Sequence, residues 1–242
     1  MKITGLTRIR NEEAIIKDTL DHMASFCDEI YIYDDASTDH TLDICMEHFA
    51  VLGILPNANW EKDRAMAETK SRKQLLKFAR KYTSDNPFNW FVYMDADERI
   101  EFDWKTLEQL PLQVTGVKMK LFDFYITESD KNKPYTDREW IGPEYREILM
   151  AFRNIEKLQY IKPDQRSPIV PGRKHFAGYV RHYGKAVSIQ QWENTCDYYA
   201  GHFPKYADKW KARKGKAIHT LSDFGRPLCR WKDREKYGIK LY

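Results

Sequence analysis

Apolar residues follow two different spacings along the first hundred residues. Four short apolar runs are typical of buried strands, and they lie at 2–8, 29–33, 51–55 and 90–94. Three segments with apolar residues at helical spacing separate them, at 12–26, 41–49 and 65–82. Strands that alternate with helices predict an α/β fold with a parallel sheet and right-handed crossovers.

The pattern changes after about residue 115. Three further apolar stretches predict strands at 116–126, 147–152 and 179–188. Loops rich in proline and charge lie at 130–138 and 162–174, and the chain from about residue 190 is helical and basic in pattern. No linker separates the two parts. We therefore predict a single domain, 1–242, with a first half at 1–115 and a second half at 116–242.

Polar residues follow three of the predicted strands. They form the segments 7–10, 34–39 and 95–98. Open parallel sheets bind ligands beyond the carboxyl ends of their strands. We therefore expect these three segments to meet at one edge of the sheet.

The segment 94–98, Met-Asp-Ala-Asp-Glu, places Asp95 and Asp97 one residue apart after an apolar strand. In an extended segment, side chains at i and i+2 point the same way, so both carboxylates would share one divalent cation. Mg²⁺ and Mn²⁺ favour carboxylates together with substrate phosphates. An alternative, phosphoryl transfer through an aspartyl nucleophile, is disfavoured because Arg99 stands where Thr or Val is usual.

The first 100 or so residues resemble the family-2 glycosyltransferases. The segments that carry the resemblance are 7–13, 29–39 and 94–98, in that order. The resemblance implies a GT-A fold, a Rossmann-like α/β architecture whose mostly parallel sheet is flanked by helices, with a variable acceptor part at 116–242. The half at 1–115 would then bind the nucleotide-sugar.

The resemblance also implies roles for individual residues in the first half. Thr7, Arg8 and Asn11 would line the base pocket, and Glu12 would lie near the ribose. Asp34 or Asp35 would bind the uracil or ribose end of the nucleotide, and Arg72 would face the diphosphate. The acidic residues there are also compatible with a structural role, namely capping the helix that follows residue 11.

In the second half, residues 181–184, Arg-His-Tyr-Gly, look like a segment of the bacterial lipopolysaccharide-core branch of the family. His182 is our candidate for a further metal ligand beside Asp95 and Asp97, since neutral imidazole suits such a site. Asp164 is our first choice for the catalytic base, because Asp-Gln replaces a His-Glu pair of related enzymes. The alternatives are Asp123, Asp130, Asp137 and Glu139.

The composition of the chain limits the kinds of partner that are expected. Forty Lys and Arg residues against 36 Asp and Glu give a net charge of +4, too mild to predict nucleic-acid binding.

The four cysteines have no metal or redox spacing and are expected to be free thiols. Without a signal-like or membrane-spanning segment, a cytoplasmic protein with at most peripheral membrane contact is expected. The basic stretch 205–216 suits either a solvated helix face or an anionic acceptor.

The function expected from these features is transfer of a sugar from a nucleoside diphosphate sugar, with a UDP-sugar favoured, to a glycan or glycolipid. Inversion at the anomeric carbon and Mn²⁺ or Mg²⁺ as cofactor are expected. A nucleotidyltransferase acting on sugar phosphates is one alternative, although 7–13 lacks the glycines that such enzymes usually carry there. A non-catalytic nucleotide- or carbohydrate-binding module is the other.

Overall fold

A computed structural model describes residues 1–61, 64–84, 86–163 and 165–241. Strands and helices alternate through its first hundred residues, as predicted. The elements are β1 (Ile3–Ile9), α1 (Ile16–Ala24), β2 (Glu29–Asp34), α2 (Thr41–Glu47), β3 (Val51–Pro56), α3 (Arg64–Ala79), β4 (Trp90–Tyr93), β5 (Glu98–Glu101) and α4 (Thr106–Gln109). The two short elements β5 and α4 were not predicted.

Longer strands follow, and then short helices. The elements are β6 (Val114–Phe124), β7 (Trp140–Arg153), β8 (Arg173–His182), α5 (Ile189–His202), α6 (Ala207–Lys211), β9 (Cys229–Arg230), α7 (Arg234–Tyr237) and β10 (Ile239–Lys240). The strand predicted at 179–188 is therefore wrong in position, because the chain turns after His182. A hydrogen bond from Ala186 N to Tyr183 O (2.7 Å) closes that turn.

The chain divides into two compact units. The first comprises Met1–Lys118 and Leu149–Gly178, and the second comprises Met119–Ile148 and Tyr179–Tyr242. Strands β6, β7 and β8 contribute residues to both. The division of roles predicted at residue 115 stays a prediction.

The sheet has the strand order β3-β2-β1-β4-β7-β6-β8-β5. In the first unit, β1 is parallel to both β2 and β4, and β2 is parallel to β3. The parallel pairing predicted for the first four strands is therefore confirmed. Strand β4 pairs with β7 in antiparallel fashion, so the sheet as a whole is mixed.

Helix α1 packs closely on β1 at Gly5. A Cβ atom at Gly5 would lie 2.7 Å from Met23 Cε and 3.1 Å from Cys27 Sγ, so glycine allows the close approach. Ile16, Leu20 and Met23 are fully buried, which places the apolar stripe of α1 against the sheet. This packing sets the position of α1 relative to the carboxyl ends of β1 and β4.

Shortening Ile16 to valine should destabilise the protein by about 0.5–1.5 kcal/mol, the usual range for this change in a packed core. Chemical denaturation measures the change in the free energy of unfolding. Lys17→Ala on the exposed side of α1 is the control, since its ion pair with Asp21 is worth about 0.3–0.5 kcal/mol. An equal effect of both substitutions would contradict the packing of this face.

The second unit has its own apolar core. It is built on β6 and β7, to which β9 and β10 add two short pairings, and contains Phe122, Phe124, Ile141, Tyr183 and Trp231. All four cysteines are free thiols, as predicted. Within the described ranges, no helix is long and apolar enough to cross a membrane.

Candidate active site

Residues 95–98 form a tight turn between β4 and β5. Glu98 N donates to Asp95 O (3.1 Å), and Asp95 N donates to the Glu98 carboxylate (3.1 Å). The expectation that Asp95 and Asp97 share an extended segment is therefore wrong, because the buried Glu98 side chain folds back on the backbone. Both aspartates remain half-buried at the carboxyl end of β4.

Helix α1 and β5 hold this turn in place. Thr19 Oγ1, buried in α1, donates to Ala96 O (2.6 Å). Arg99 donates to the same carbonyl (2.9 Å) and to the carboxylate of Asp18 (2.9 Å). The position of the turn is thus determined by α1, whose own position depends on the close contact at Gly5.

Arg166 binds two carboxylates of the turn. Its guanidinium forms ion pairs with Asp95 and with Glu98, and the second pair has an N–O distance of 2.5 Å. Glu98 is fully buried, and about a quarter of the Arg166 side chain is exposed. The guanidinium therefore compensates charge that would otherwise be costly to bury.

Tyr93 and Arg72 contact the other side of Asp95. Tyr93 donates its hydroxyl to Asp95 Oδ1 (3.0 Å), and Arg72 Nε donates to the Tyr93 oxygen (2.9 Å). Arg72 also lies 3.9 Å from Asp95 Oδ1. Burial raises the pKa of Asp95, but Arg166, Arg72 and the Tyr93 hydroxyl outweigh it and lower the pKa well below its usual range. Asp95 is therefore ionised at neutral pH.

Asp34 and Asp35 are buried at the carboxyl end of β2. Asp35 forms an ion pair with Arg8 (2.9 Å) and accepts a hydrogen bond from Asn57 Nδ2 (3.1 Å). Asp34 accepts one from Ser37 N (3.2 Å), which orders the loop after the strand. An ion pair between Arg8 and Asp35 thus connects the carboxyl ends of β1 and β2.

Asn11 and Glu12 follow β1 and contact the loop after β2. Asn11 has a φ of 52°, in the left-handed region that asparagine tolerates, and its Oδ1 accepts from Thr38 N (2.8 Å). Burial raises the pKa of Glu12 well above its ordinary value, and the negative charges of Asp97 and Asp95 raise it further. Glu12, Asp95 and Asp97 thus form an acidic group in which the two aspartates act on the Glu12 carboxyl.

The polar segments after β1, β2 and β4 meet at one edge of the sheet, as predicted. Arg8 pairs with Asp35, and Glu12 lies close enough to Asp95 and Asp97 for their charges to act on it. Thr7 is fully buried there, and its hydroxyl has no hydrogen-bond partner among the described residues. An unsatisfied buried hydroxyl is uncommon and is compatible with a ligand partner.

Of the residues predicted in the second half, some belong to the second unit and one falls outside the described residues. His182 belongs to the second unit, where its Nδ1 donates to Asp123 Oδ1 (2.5 Å). Asp164 falls outside the described residues. Asp130 accepts hydrogen bonds from the backbone and hydroxyl of Thr127 (2.8 and 2.9 Å), which is a structural role.

Sequence reasoning missed Arg166, Glu98, Tyr93 and Glu68 as site residues. Glu68 lies 3.6 Å from Arg8 and 3.4 Å from Arg72, so it connects two of the predicted residues. The order of charges in α3, with Glu68 and Arg72 one helical turn apart, was a usable signal. Arg166 lies 71 residues from Asp95 in an irregular loop, where no periodic pattern reveals it.

Comparison with known proteins defines the family. The model of the family described as "Glycosyl transferase family 2" matches residues 7–176, which include the whole acidic edge. The chain therefore belongs to glycosyl transferase family 2, and its class is that of the glycosyltransferase enzymes. Its α/β architecture, with parallel strands β3-β2-β1-β4, agrees with the GT-A fold that the sequence resemblance predicted.

The individual proteins that are similar to this chain say less about it than the family match does. Two uncharacterised proteins, from Mycobacterium bovis and Mycobacterium tuberculosis, are each 33% identical over 165 residues, 66% of this chain. The match spans only 36% of the length of these relatives. A crystal structure of the Mycobacterium tuberculosis glucosyl-3-phosphoglycerate synthase with Mn²⁺ and UDP shares 22% identity, covering 50% of this chain and 44% of that one. At a TM-score of 0.33, this likeness defines neither fold nor function.

Proposed function

We propose that this protein is a metal-dependent glycosyltransferase that moves a sugar from a UDP-sugar to a glycan or glycolipid. The observation that carries the proposal is the composition of the sheet edge. The carboxyl groups of Glu12, Asp95 and Asp97 lie beside the guanidinium groups of Arg8, which is half-buried, and of Arg72, which is buried. The carboxyl groups of this edge suit a cation, and the guanidinium groups suit a diphosphate.

The acidic group fits a divalent cation. Burial and the negative charges of Asp97 and Asp95 raise the pKa of Glu12, so a cation placed among these carboxyl groups would be favourable. Among the described residues, no group of three His, Cys, Asp or Glu side chains has the arrangement of a complete metal site. Asp95 and Asp97 would therefore bind the cation together with diphosphate oxygens, as is usual for Mg²⁺. When bound, the cation supplies positive charge that stabilises the leaving diphosphate.

Arginine side chains of the edge would bind the diphosphate. Arg72 is buried beside Asp95, and Arg8 lies between Asp35 and Glu68. The Nε atoms of Arg8 and Arg166 are buried without a hydrogen-bond partner among the described residues. Donors of this kind favour an anion, because a buried unsatisfied N–H is costly. His182 as a further metal ligand stays a prediction.

The nucleoside would bind beyond β1 and β2. Thr7, with its unpartnered hydroxyl, and Asn11, with its fixed backbone, are suited to a base edge that needs few but ordered polar partners. Asp34 or Asp35 would accept hydrogen bonds from the uracil or the ribose. Glu12, which lies near the cation-binding carboxylates, would contact the ribose.

Transfer with inversion needs a base for the acceptor. The acceptor oxygen forms a bond to the anomeric carbon while the bond from that carbon to the diphosphate oxygen breaks, and the diphosphate leaves with the electron pair. A carboxylate takes the proton of the acceptor hydroxyl. Asp164 is the proposed base, and Asp123 is the alternative.

Calorimetry tests the donor part of the proposal. We expect UDP to bind at least about tenfold more tightly in the presence of Mn²⁺ than in EDTA, since cation and diphosphate complete one another's coordination. Incubation with UDP-, GDP- and dTDP-sugars should release nucleoside diphosphate slowly, and only with metal. Release of pyrophosphate from a nucleoside triphosphate and a sugar phosphate would instead identify a nucleotidyltransferase. Metal-independent binding without turnover would identify a binding module.

A further inference from the structure

The second unit contains a pocket of about 140 Å³, of whose lining only Asp123 has been given a role so far, as the alternative base. Its wall carries three carboxylates and two cations, namely Asp123, Glu144, Asp223, Arg146 and Lys185. A cavity of about 150 Å³ can hold one benzene ring, so this pocket can enclose the ring of one small molecule but not a longer chain.

Lys185 connects the two aspartates of the pocket. Its Nζ lies 2.9 Å from Asp123 Oδ2 and 3.0 Å from Asp223 Oδ2. Arg146 binds the other oxygen of Asp123 (2.8 Å), and Arg213 binds that of Asp223 (2.7 Å). The charged groups are therefore fixed in position before any ligand arrives, which reduces the entropy cost of binding.

The mixture of charges on the wall selects the chemistry of a ligand. An apolar ligand would cover charged groups without bonding to them, which is costly. Both cations of the wall already form ion pairs with carboxylates, so a phosphate would have to compete with those carboxylates for them. Sugar hydroxyls both donate and accept, and each carboxylate keeps acceptor capacity beyond its present partners. The wall therefore suits a neutral ring with several hydroxyl groups.

Two uncharged residues of the pocket support the same ligand. Phe224 lines the pocket while 57% of its surface is exposed, so its ring can pack against the apolar face of a sugar. Gly142 lets Glu144 and Tyr125 pack closely against the wall, because a Cβ there would lie 2.9 Å from the Glu144 carboxylate and 3.2 Å from the ring of Tyr125.

We propose that this pocket binds one neutral sugar ring, and that this ring belongs to the acceptor. The identification as acceptor rests on the proposed function, whereas sugar binding does not. The ring would lie against Asp123, Asp223 and Phe224, and the basic stretch 205–216 stays open to either a solvated helix face or an anionic acceptor.

Saturation-transfer NMR tests sugar binding with the full chain and four neutral probes, namely glucose, galactose, mannose and N-acetylglucosamine. Glucuronate and glucose 6-phosphate are the charged comparisons. We expect at least one neutral sugar to bind with a Kd of the order of millimolar, and more tightly than its charged counterparts. Binding of none of the four, or tighter binding of a charged form, overturns the proposal.

The variant Phe224→Ala should weaken sugar binding about tenfold. The matched control is Phe88→Ala, which removes an equally exposed ring (55%) from the first unit. Equal sugar binding by wild type and Phe224→Ala overturns the proposal. Titration of UDP with Mn²⁺ into the same variant keeps the two proposals apart. Loss of sugar binding with normal UDP binding supports the pocket. Absent UDP binding in the wild type would contradict the proposed function, and with it the identification of the ring as acceptor, but not sugar binding.

Discussion

Replacing Asp97 with asparagine should lower sugar-transfer or donor-hydrolysis turnover by about 10²- to 10³-fold. The substitution preserves the size of the side chain but removes the charge that would hold the cation beside the diphosphate. Lewis-acid stabilisation of that kind is worth several kcal/mol, and each 1.36 kcal/mol changes the rate tenfold. Steady-state release of UDP, measured at saturating Mn²⁺, gives the turnover directly.

The same variant should fold at least as well as the wild type. Asp97 contributes to the repulsion that raises the pKa of Glu12, so removal of its charge relieves that repulsion. Thermal unfolding in EDTA therefore separates a lost function from a lost fold. Glu108→Gln, an exposed carboxyl of the same unit, serves as the control with unchanged turnover. Turnover of the wild-type value in Asp97→Asn would refute the metal role of this residue.

Strands β2 and β4 could be predicted because all of their residues are buried. Trp90–Tyr93 form a continuous apolar run, and β2 has one between Glu29 and Asp34. The intervening helices determine the parallel direction. The end of β8 could not be predicted in this way, because its residues are mostly half-buried and the turn after His182 depends on local hydrogen bonding.

The acidic half of the site could also be predicted, and the basic half only partly. Asp34, Asp35, Asp95 and Asp97 directly follow strands, and the geometry of a parallel sheet places such residues at one edge. Their local conformation was not predictable, since the turn at 95–98 depends on the buried carboxylate of Glu98. That carboxylate in turn depends on Arg166, which reaches it from a loop far along the chain. Contacts of this type are determined by tertiary structure and leave no local pattern.

The second large effect is expected at Arg166. In EDTA, Arg166→Gln should destabilise the protein by about 3 kcal/mol, the lower end of the range for loss of one partner of a buried ion pair. The lower end applies because about a quarter of both Arg166 and Asp95 is exposed. Glu98, which is fully buried, would lose its ion-pair partner. Urea denaturation measures this loss, and Arg173→Gln, at an exposed arginine of the same unit, should leave stability unchanged.

Manganese should partly reverse the effect of Arg166→Gln. In the wild type, the Arg166 guanidinium already forms an ion pair with Asp95. A cation that binds the proposed site is therefore attracted to Asp95 less strongly than it would be without Arg166. In the variant, Asp95 keeps its contacts with Tyr93 and Arg72 but loses the Arg166 guanidinium, so the same cation meets less competing positive charge in the acidic group. Because a ligand stabilises the folded state according to its affinity, Mn²⁺ should raise the Tm of Arg166→Gln more than that of the wild type. Equal Tm shifts in both proteins would show that Arg166 and the cation do not share Asp95.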